Sequence, residues 1–152
     1  MTLLCVLAIG VCAKAESTVY LFAKNGNSID YKVFCDGKEI CDLNGPIKKT
    51  MDDSMFKIPY KIAHPCYRKL VFGGDDKIVI AVEGDFTNCM NLKHTILKCE
   101  MQLDLEDGET YYIDLKGKGM NDIQLKFLEP KKALKNIEDK KWKELSEIVI
   151  GK

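Results

Sequence analysis

The side chains that could carry chemistry are two histidines and three cysteines in the middle of the chain. His64 and Cys66 flank a proline, and Cys89, His94 and Cys99 follow with four residues between neighbours. Imidazole nitrogen and thiolate sulfur are ligands that zinc prefers. Structural zinc sites, however, usually contain a close ligand pair such as Cys-x-x-Cys, which this chain lacks. We therefore expect neither a metal site nor another cofactor, and keep a Cys/His metal-binding protein as an alternative.

Catalysis would have to use the same side chains. A nucleophilic cysteine needs an activating base and a further group that orients this base. His94 would be the base for Cys66 or Cys89, but no nucleophile elbow, cysteine–histidine signature or phosphate-binding glycine loop accompanies them. The acidic turns at 73–76 and 106–109 lack the alternating oxygen ligands of a calcium loop. We predict that no residue is catalytic and that the protein is not an enzyme, with a hydrolase as the less favoured alternative.

The pairing of the cysteines stays open at the level of sequence. Two of the seven cysteines, Cys5 and Cys12, lie in an apolar N-terminal segment. The others are Cys35, Cys41, Cys66, Cys89 and Cys99. An odd number leaves at least one thiol unpaired within a monomer. A two-residue turn at Asp36-Gly37 would place Cys41 on the opposite face from Cys35, whereas a bulged turn would bring both to the same face.

The N-terminus has the pattern of a secretory signal peptide over residues 1–15. Residues 3–12 form an apolar run, and Ala13-Lys14-Ala15 is a small-x-small cleavage site, although no basic residue precedes the run. Lipid attachment at Cys12 is an alternative, but Val11 stands where a small residue is preferred. We favour cleavage after Ala15, and therefore export to the periplasm or cell envelope, or secretion.

The composition argues against two classes of function. Lysine and arginine together number 23, equal to the 23 aspartates and glutamates, so no large field of one sign is available to attract nucleic acid. No apolar run reaches the roughly 20 residues that cross a bilayer. With 46% hydrophobic residues among 152, the chain suits one hydrophobic core. We expect a single domain over residues 16–152.

Period-two alternation predicts most of the strands. Leu97, Cys99, Met101, Leu103 and Leu105 alternate with polar residues, and the pattern recurs over 110–116 and 122–127. This pattern predicts a three-strand antiparallel meander over residues 97–127. Further strands are expected at 18–24, 29–35, 38–43, 55–60, 70–72 and 77–83, with loops at 47–54 and 84–92. Short strands separated by turn signals are typical of a β-sandwich.

Residues 131–148 have the spacing of an amphipathic helix, kinked or split near Asp139. Its apolar positions are Leu134, Ile137, Trp142, Leu145 and Ile148. Seven basic and four acidic residues occupy 131–152. A basic helix of this kind docks on a membrane surface or a partner, or packs on its own domain. We favour packing on a sheet edge of the same domain through Trp142 and Leu145.

Two segments carry a family resemblance. Residues 31–40 contain a strand–Asp-Gly-Lys–strand pattern, and residues 103–113 contain an apolar strand followed by Gly-Glu-Thr-Tyr-Tyr. They resemble small immunoglobulin-like modules of bacterial envelope proteins, including PEGA-type domains. With a closing strand and a charged helix, the chain is similar to an exported bacterial family of unknown function with many lipoprotein members. The resemblance implies an immunoglobulin-like antiparallel β-sandwich with a C-terminal amphipathic α-helix, which would start after Glu129-Pro130, and no catalytic residue.

The function expected from these observations is binding rather than chemistry. β-Sandwiches present loops and sheet edges to partners, and aromatic side chains supply contact area. Tyr20, Phe22 and Tyr112 are candidates for a partner surface, unless the C-terminal helix covers them. We expect an exported binding or structural module of the cell envelope whose partner is an envelope protein or a polysaccharide. A secreted inhibitor or a carbohydrate-binding module is the alternative, and peripheral or lipid-anchored membrane association is compatible with both.

Mass spectrometry of the N-terminus of the exported protein tests the processing prediction. We expect the mature chain to begin at Glu16, because the cleavage site requires small residues at the positions of Ala13 and Ala15. Replacing Ala15 by Leu should leave residues 1–15 attached. A mature N-terminus at Cys12 carrying the mass of a lipid would contradict this prediction.

Overall fold

β-Strands dominate the chain. The computed structural model describes residues 15–24, 29–52, 54–74, 76–117 and 122–151, and strands make up 60% of them. In chain order the strands are β1 (Ser17–Ala23), β2 (Ile29–Cys35), β3 (Lys38–Asp42), β4 (Ile47–Met51), β5 (Tyr60–Ala63), β6 (Cys66–Phe72), β7 (Asp76–Thr87), β8 (His94–Leu105), β9 (Thr110–Gly117), β10 (Ile123–Phe127), β11 (Lys143–Glu144) and β12 (Ile148–Val149). The helix of this part of the chain is α1 (Pro130–Glu138). The predicted mainly β fold with a C-terminal helix is confirmed, and the immunoglobulin-like assignment stays a prediction.

Two sheets stack face to face. The first has the order β10-β9-β1-β6, with β11 and β12 along the outer edge of β6, and the second has the order β3-β2-β7-β8. Strands β4 and β5 form a separate hairpin. Strand β1 runs parallel to β9, and β11 and β12 run parallel to β6, so the first sheet is mixed. The second sheet is antiparallel throughout.

The first sheet is buried on both of its faces. Because side chains alternate along a strand, Val19 and Leu21 of β1 point into the main core between the sheets. Phe22 points the other way and packs with Tyr67 of β6 beneath α1, where Ala133 is fully buried against both rings. An alanine at this position lets the helix lie close to the sheet. Full burial of a ring such as that of Phe22 stabilises the fold by about 1.5–3 kcal/mol.

The predicted meander is wrong at its first connection. Strand β8 pairs with β7 in the second sheet, whereas β9 pairs with β1 and β10 in the first. Residues 106–109 therefore carry the chain from one sheet to the other. The Tyr111 hydroxyl holds this crossing, because it accepts a hydrogen bond from the Glu106 N–H (2.8 Å) and donates one to the Asp104 carbonyl (3.2 Å). Such a tyrosine corner is a device of β-sandwich connections.

The predicted hairpin around Asp36-Gly37 is confirmed, but its register shifts. Both turn residues have positive φ, 50° and 82°, as a type I′ turn requires. Cys35 pairs with Lys38 as expected, and a bulge then places Cys41 opposite Val33 rather than opposite Lys32. The bulge lies within the strands, so turn chemistry alone does not reveal it. Cys41 consequently shares the face of Cys35, and both are free thiols.

Residues 47–72 differ most from the expectation. The predicted loop at 47–54 contains β4, and the predicted strand at 55–60 is mostly turn before β5. All residues of β4 are exposed, so no buried face imposes the alternation from which strands were predicted. Strand β6 begins directly after Pro65 rather than at Leu70, and β7 continues through the predicted loop to Thr87.

The C-terminal helix is shorter than predicted. It ends at Glu138, because Asp139 has extended dihedral angles and its N–H bonds to the last helical carbonyls. The break near Asp139 is therefore confirmed, and helical continuation to residue 148 is wrong. The chain instead follows the edge of β6, and Leu145 and Ile148 pack on the main core from an extended backbone. Trp142 packs edge-on against Phe22, with 5.7 Å between ring centroids.

Gly45 lies where the chain enters β4, and it offers a test of the fold. A Cβ at this position would overlap the backbone carbonyl of His64. We expect Gly45→Ala to lower the free energy of unfolding by about 1–3 kcal/mol, the usual cost of overpacking. Gly151→Ala is the matched control, since its Cβ would meet nothing within 4 Å, and it should change stability by less than about 0.5 kcal/mol. Equal urea midpoints for the two variants would contradict the close approach.

Candidate anion-binding groove

The histidines and cysteines singled out in the sequence do not converge. His64 lies just before β6 and His94 at the start of β8. Across the described ranges, no group of three or more His, Cys, Asp or Glu side chains is placed to hold a metal ion. The metal site that can be drawn from the sequence with Cys66, Cys89 and Cys99 is therefore not assembled by the fold.

Burial makes the thiols poor nucleophiles. Desolvation raises the pKa of Cys35, Cys41 and Cys99 to about 11, and that of Cys66 to about 12, from the ordinary value of 9.0. The Arg68 charge opposes this rise at Cys41 and Cys66 but is the smaller effect. Since the thiolate is the reactive form of cysteine, these side chains serve packing.

His94 belongs to a surface contact. Its Nδ1 lies 3.1 Å from Asp85 Oδ1 and 3.2 Å from Thr87 Oγ1, and all three side chains are near the exposed start of β8. A carboxylate and a hydroxyl orient the ring, but no thiol is among these contacts. The arrangement is a cross-strand hydrogen-bonded contact between β7 and β8.

Phe22 is buried and so cannot belong to the predicted partner surface. Its side chain is 0% exposed, because its position on β1 points toward α1. Tyr20 and Tyr112 are half-buried at the border of the same cluster, stacked with 5.5 Å between ring centroids. Because the helix covers this sheet face, Phe22 is not available to a partner. A partner role for Tyr20 and Tyr112 stays a prediction.

Of the predicted processing residues, Ala15 is described and exposed. Cys12 and Ala13 lie outside the described residues. A Cβ at Gly108 would lie 3.5 Å from the Ala15 Cβ, so the N-terminus of the described chain reaches the connection between β8 and β9.

The two ends of the sandwich differ in charge. Lys24 follows β1 and Pro65 precedes the antiparallel β6, so both lie at one end, which we call the basic end. Glu16 precedes β1, and residues 106–109 precede the parallel β9, so they lie at the other, acidic end. The connecting residues of the acidic end include Glu16, Asp36, Glu106, Asp107 and Glu109. The connections of the basic end also contain acidic residues such as Asp52 and Asp139, so the two ends differ in their proportions of acidic and basic residues.

A groove lined with lysines opens at the basic end. It is an open groove of about 500 Å³ between the β4–β5 hairpin and the segment that follows α1. Its lysines are Lys24, Lys48, Lys140, Lys141 and Lys143, and His64 lines it together with Ile62, Ala63 and Pro65. We call it the lysine groove.

Trp142 positions the C-terminal wall of the lysine groove. The indole packs into the aromatic cluster beneath α1, and the lysines before and after it in sequence line the groove. The Asp139 carboxylate accepts the Lys141 N–H (2.9 Å), and the Asp139 carbonyl accepts the Trp142 N–H (3.0 Å). The Lys143 N–H donates to the Pro65 carbonyl (2.8 Å). These bonds join the wall to the start of β6.

The groove lysines form no close ion pairs within the described part of the chain, although the charge of Lys24 acts on Asp114 and opposes the rise that burial causes in the pKa of that carboxyl. Among the residues that the structure describes, none of the five groove lysines has a carboxylate oxygen within 4.0 Å. Exposed ammonium groups around a concave surface attract anions, and each acts as a flexible point charge with three donors. The arrangement is suited to bind a ligand that carries several negative charges.

Sequence reasoning missed the lysine groove. The excess of basic residues in 131–152 was a signal, as was the run Lys140-Lys141-Trp142-Lys143. Lys24 and Lys48 have no such signal, because they are distant in sequence and only the packing of the β4–β5 hairpin brings them to the same groove.

Comparisons of the chain with protein-family models, with curated proteins and with solved structures give no match. The resemblance to exported immunoglobulin-like modules therefore stays a prediction. Within the described ranges, no helix has both the length and the apolar character needed to cross a membrane.

Thiol labelling of the chain 16–152 tests the burial of the cysteines. A rise of two units in pKa lowers the thiolate fraction about 100-fold at about pH 8. We expect Cys35, Cys41, Cys66 and Cys99 to react at least tenfold more slowly in the native protein than in guanidinium chloride, where all five thiols should be titrated. Equal rates in the two conditions, or fewer than five thiols after unfolding of the monomer, would contradict this structure.

Proposed function

We propose that this chain is an exported, non-catalytic binding module of the cell envelope, and that its lysine groove binds an acidic polysaccharide. The observation that carries the proposal is the convergence on one groove of five lysines, none of which has a carboxylate oxygen within 4.0 Å in the described part of the chain. Anion recognition here requires no reactive group, and the buried thiols supply none.

The character of the groove favours a polymer of low charge density over a compact anion. Arginine is the usual residue for bidentate recognition of a single phosphate or carboxylate, and the described residues that line the groove include five lysines and no arginine. Ile62, Ala63 and Pro65 provide an apolar lining on which the C–H faces of a sugar ring can lie. Exposed lysines bind through screened charge, so affinity should fall as salt concentration rises.

Export supports an envelope ligand. The apolar run 3–12 and the small residues Ala13 and Ala15 are the basis for export. Ser17 begins β1 at the acidic end, so the N-terminus leaves the domain on the side opposite the lysine groove.

Titration of the chain 16–152 with polygalacturonate, at low ionic strength, tests the proposal. We expect binding that neutral dextran does not reproduce. The triple variant Lys48→Ala, Lys140→Ala, Lys141→Ala should bind at least about tenfold more weakly, since loss of about 1.4 kcal/mol gives this factor and three exposed charges together account for it.

The matched control removes three exposed lysines elsewhere, Lys38, Lys77 and Lys126. This variant has the same net charge as the groove variant and should bind as the unaltered chain does. Equal weakening in both triple variants would show that net charge alone matters, and would overturn the groove as the site. Tighter binding of a DNA oligonucleotide of equal charge would overturn the polysaccharide as the ligand class.

A further inference from the structure

Exposed apolar side chains are concentrated in one region of the surface. Nine large apolar side chains are exposed in the described part of the chain. Five of them are Ile47, Met51, Met55, Met90 and Leu92. All five belong to the β4–β5 hairpin with its connecting turn or to the connection between β7 and β8. The other four are spread over separate elements.

The two segments form one tip at the basic end. The Lys57 N–H donates to the Cys89 carbonyl at 2.7 Å, which joins the hairpin turn to the β7–β8 connection. Met55 is 66% exposed on the first segment, and Met90 is 53% exposed on the second. We call residues 54–59 and 88–93 together the apolar tip.

The β7–β8 connection holds its apolar side chains outward by a dense set of backbone bonds. Asn88 donates its N–H to the Lys93 carbonyl, and its own carbonyl accepts the Leu92 N–H. Its side-chain oxygen accepts the Met90 N–H at 2.9 Å. Leu92 has φ +59°, a left-handed conformation that leucine seldom adopts. A strained leucine that is 45% exposed does not serve the core, and such strain is concentrated at functional surfaces.

The charge of the apolar tip matches an anionic surface. Residues 54–59 and 88–93 contain Lys57 and Lys93, and the two acidic residues of the same connection, Asp52 and Asp53, precede the tip in sequence. The lysine groove lies at the same end, and the acidic residues of the opposite end would be repelled by the same surface. The groove lysines therefore add positive charge at the end of the domain that carries the tip, which favours approach to a negatively charged plane.

We infer that the apolar tip inserts into the headgroup region of an anionic lipid bilayer, with Lys57 and Lys93 at the lipid phosphates. Apolar residues flanked by lysines are the composition of interfacial membrane anchors. Two short loops supply too few residues for a stable protein interface, which uses about 20–30 on each side. Methionine is unbranched and flexible, so Met55 and Met90 can adapt to an irregular apolar environment. The inference goes beyond the proposed function, and the residues that insert into the bilayer are not those that line the lysine groove.

The position of the N-terminus determines which form of the protein can dock in this way. A lipid on Cys12 would hold the acidic end at the membrane, because only four residues separate Cys12 from β1. The apolar tip would then face away from the bilayer. Docking through the tip therefore belongs to the form cleaved after Ala15.

Sedimentation of the chain 16–152 with lipid vesicles tests the inference. We expect binding to phosphatidylcholine vesicles that contain phosphatidylglycerol, and little binding to phosphatidylcholine alone. The variant Met55→Ala, Met90→Ala, Leu92→Asn should lower the partition coefficient at least about tenfold, and Asn at position 92 tolerates the left-handed backbone. The matched control, Phe127→Ala, Leu134→Ala, Val149→Ala, removes three equally exposed apolar side chains from other elements and should bind as before.

Each contrary result has a distinct meaning. Equal vesicle binding by the tip and control variants would overturn the inference, as would equal binding to neutral and anionic vesicles. A chain that sediments as a dimer, becomes monomeric in the tip variant and ignores vesicles would assign the tip to self-association instead. The tip variant should lose vesicle binding but keep its affinity for polygalacturonate. Failure of vesicle binding would therefore count against this inference, and failure of polymer binding would count against the proposed function.

Discussion

The buried guanidinium of Arg68 is the interaction on which the architecture depends. Arg68 lies on the core-facing row of β6, with 7% of its side chain exposed. Its Nε donates to the Asp42 carbonyl (2.9 Å), one terminal nitrogen to the Asp42 carboxylate (3.0 Å), and the other to the carbonyl and hydroxyl of Ser146 (2.7 and 3.1 Å). These bonds join the first sheet, the edge of the second sheet and the C-terminal segment. Because Asp42 is 57% exposed, water helps to solvate the pair, whereas removal of the carboxylate would leave a buried cation at a cost of several kcal/mol.

The same guanidinium determines where the two walls of the lysine groove stand. The chain passes from Asp42 through Leu43 and Gly45 into the β4–β5 hairpin, which forms one wall. Ser146 belongs to the C-terminal segment. An earlier part of this segment, at Lys143, forms the other wall of the groove. A charge buried in the core thus positions charges at the surface. The groove is lined by residues of β4 and β5, and the apolar tip includes the turn that connects these two strands.

Strands could be predicted from the sequence where one face is buried and the other is exposed to solvent, because apolar and polar residues then alternate. Strand β1, the Asp36-Gly37 hairpin and the strands β8 to β10 were predicted for this reason, within a few residues of their bounds. Strand β4 was missed because it has no buried face.

The spacing of apolar residues in the C-terminal segment predicts a helix, but the same spacing also arises in an extended chain that contacts a core at intervals. Leu145 and Ile148, three residues apart, are an example. The turn residues at 106–109 predict a hairpin between β8 and β9, because a turn sequence does not reveal whether the strand after it pairs with the strand before it or enters another sheet. The groove depends on packing between distant segments, which no local pattern encodes.

The parallel pairing of β1 with β9 has a consequence for synthesis. Residues 18–23 pair with residues 110–115, so a central strand of the first sheet lacks one neighbour until most of the chain has been made. Pairings between such distant residues form slowly, since the chain must close a long loop first. No N-terminal part of the domain can complete this sheet, and folding must wait for the last third of the sequence. In an oxidising compartment, Cys35, Cys41 and Cys66 would meet oxidants during this wait, and they reach their buried, reduced state only if folding is faster than disulfide formation.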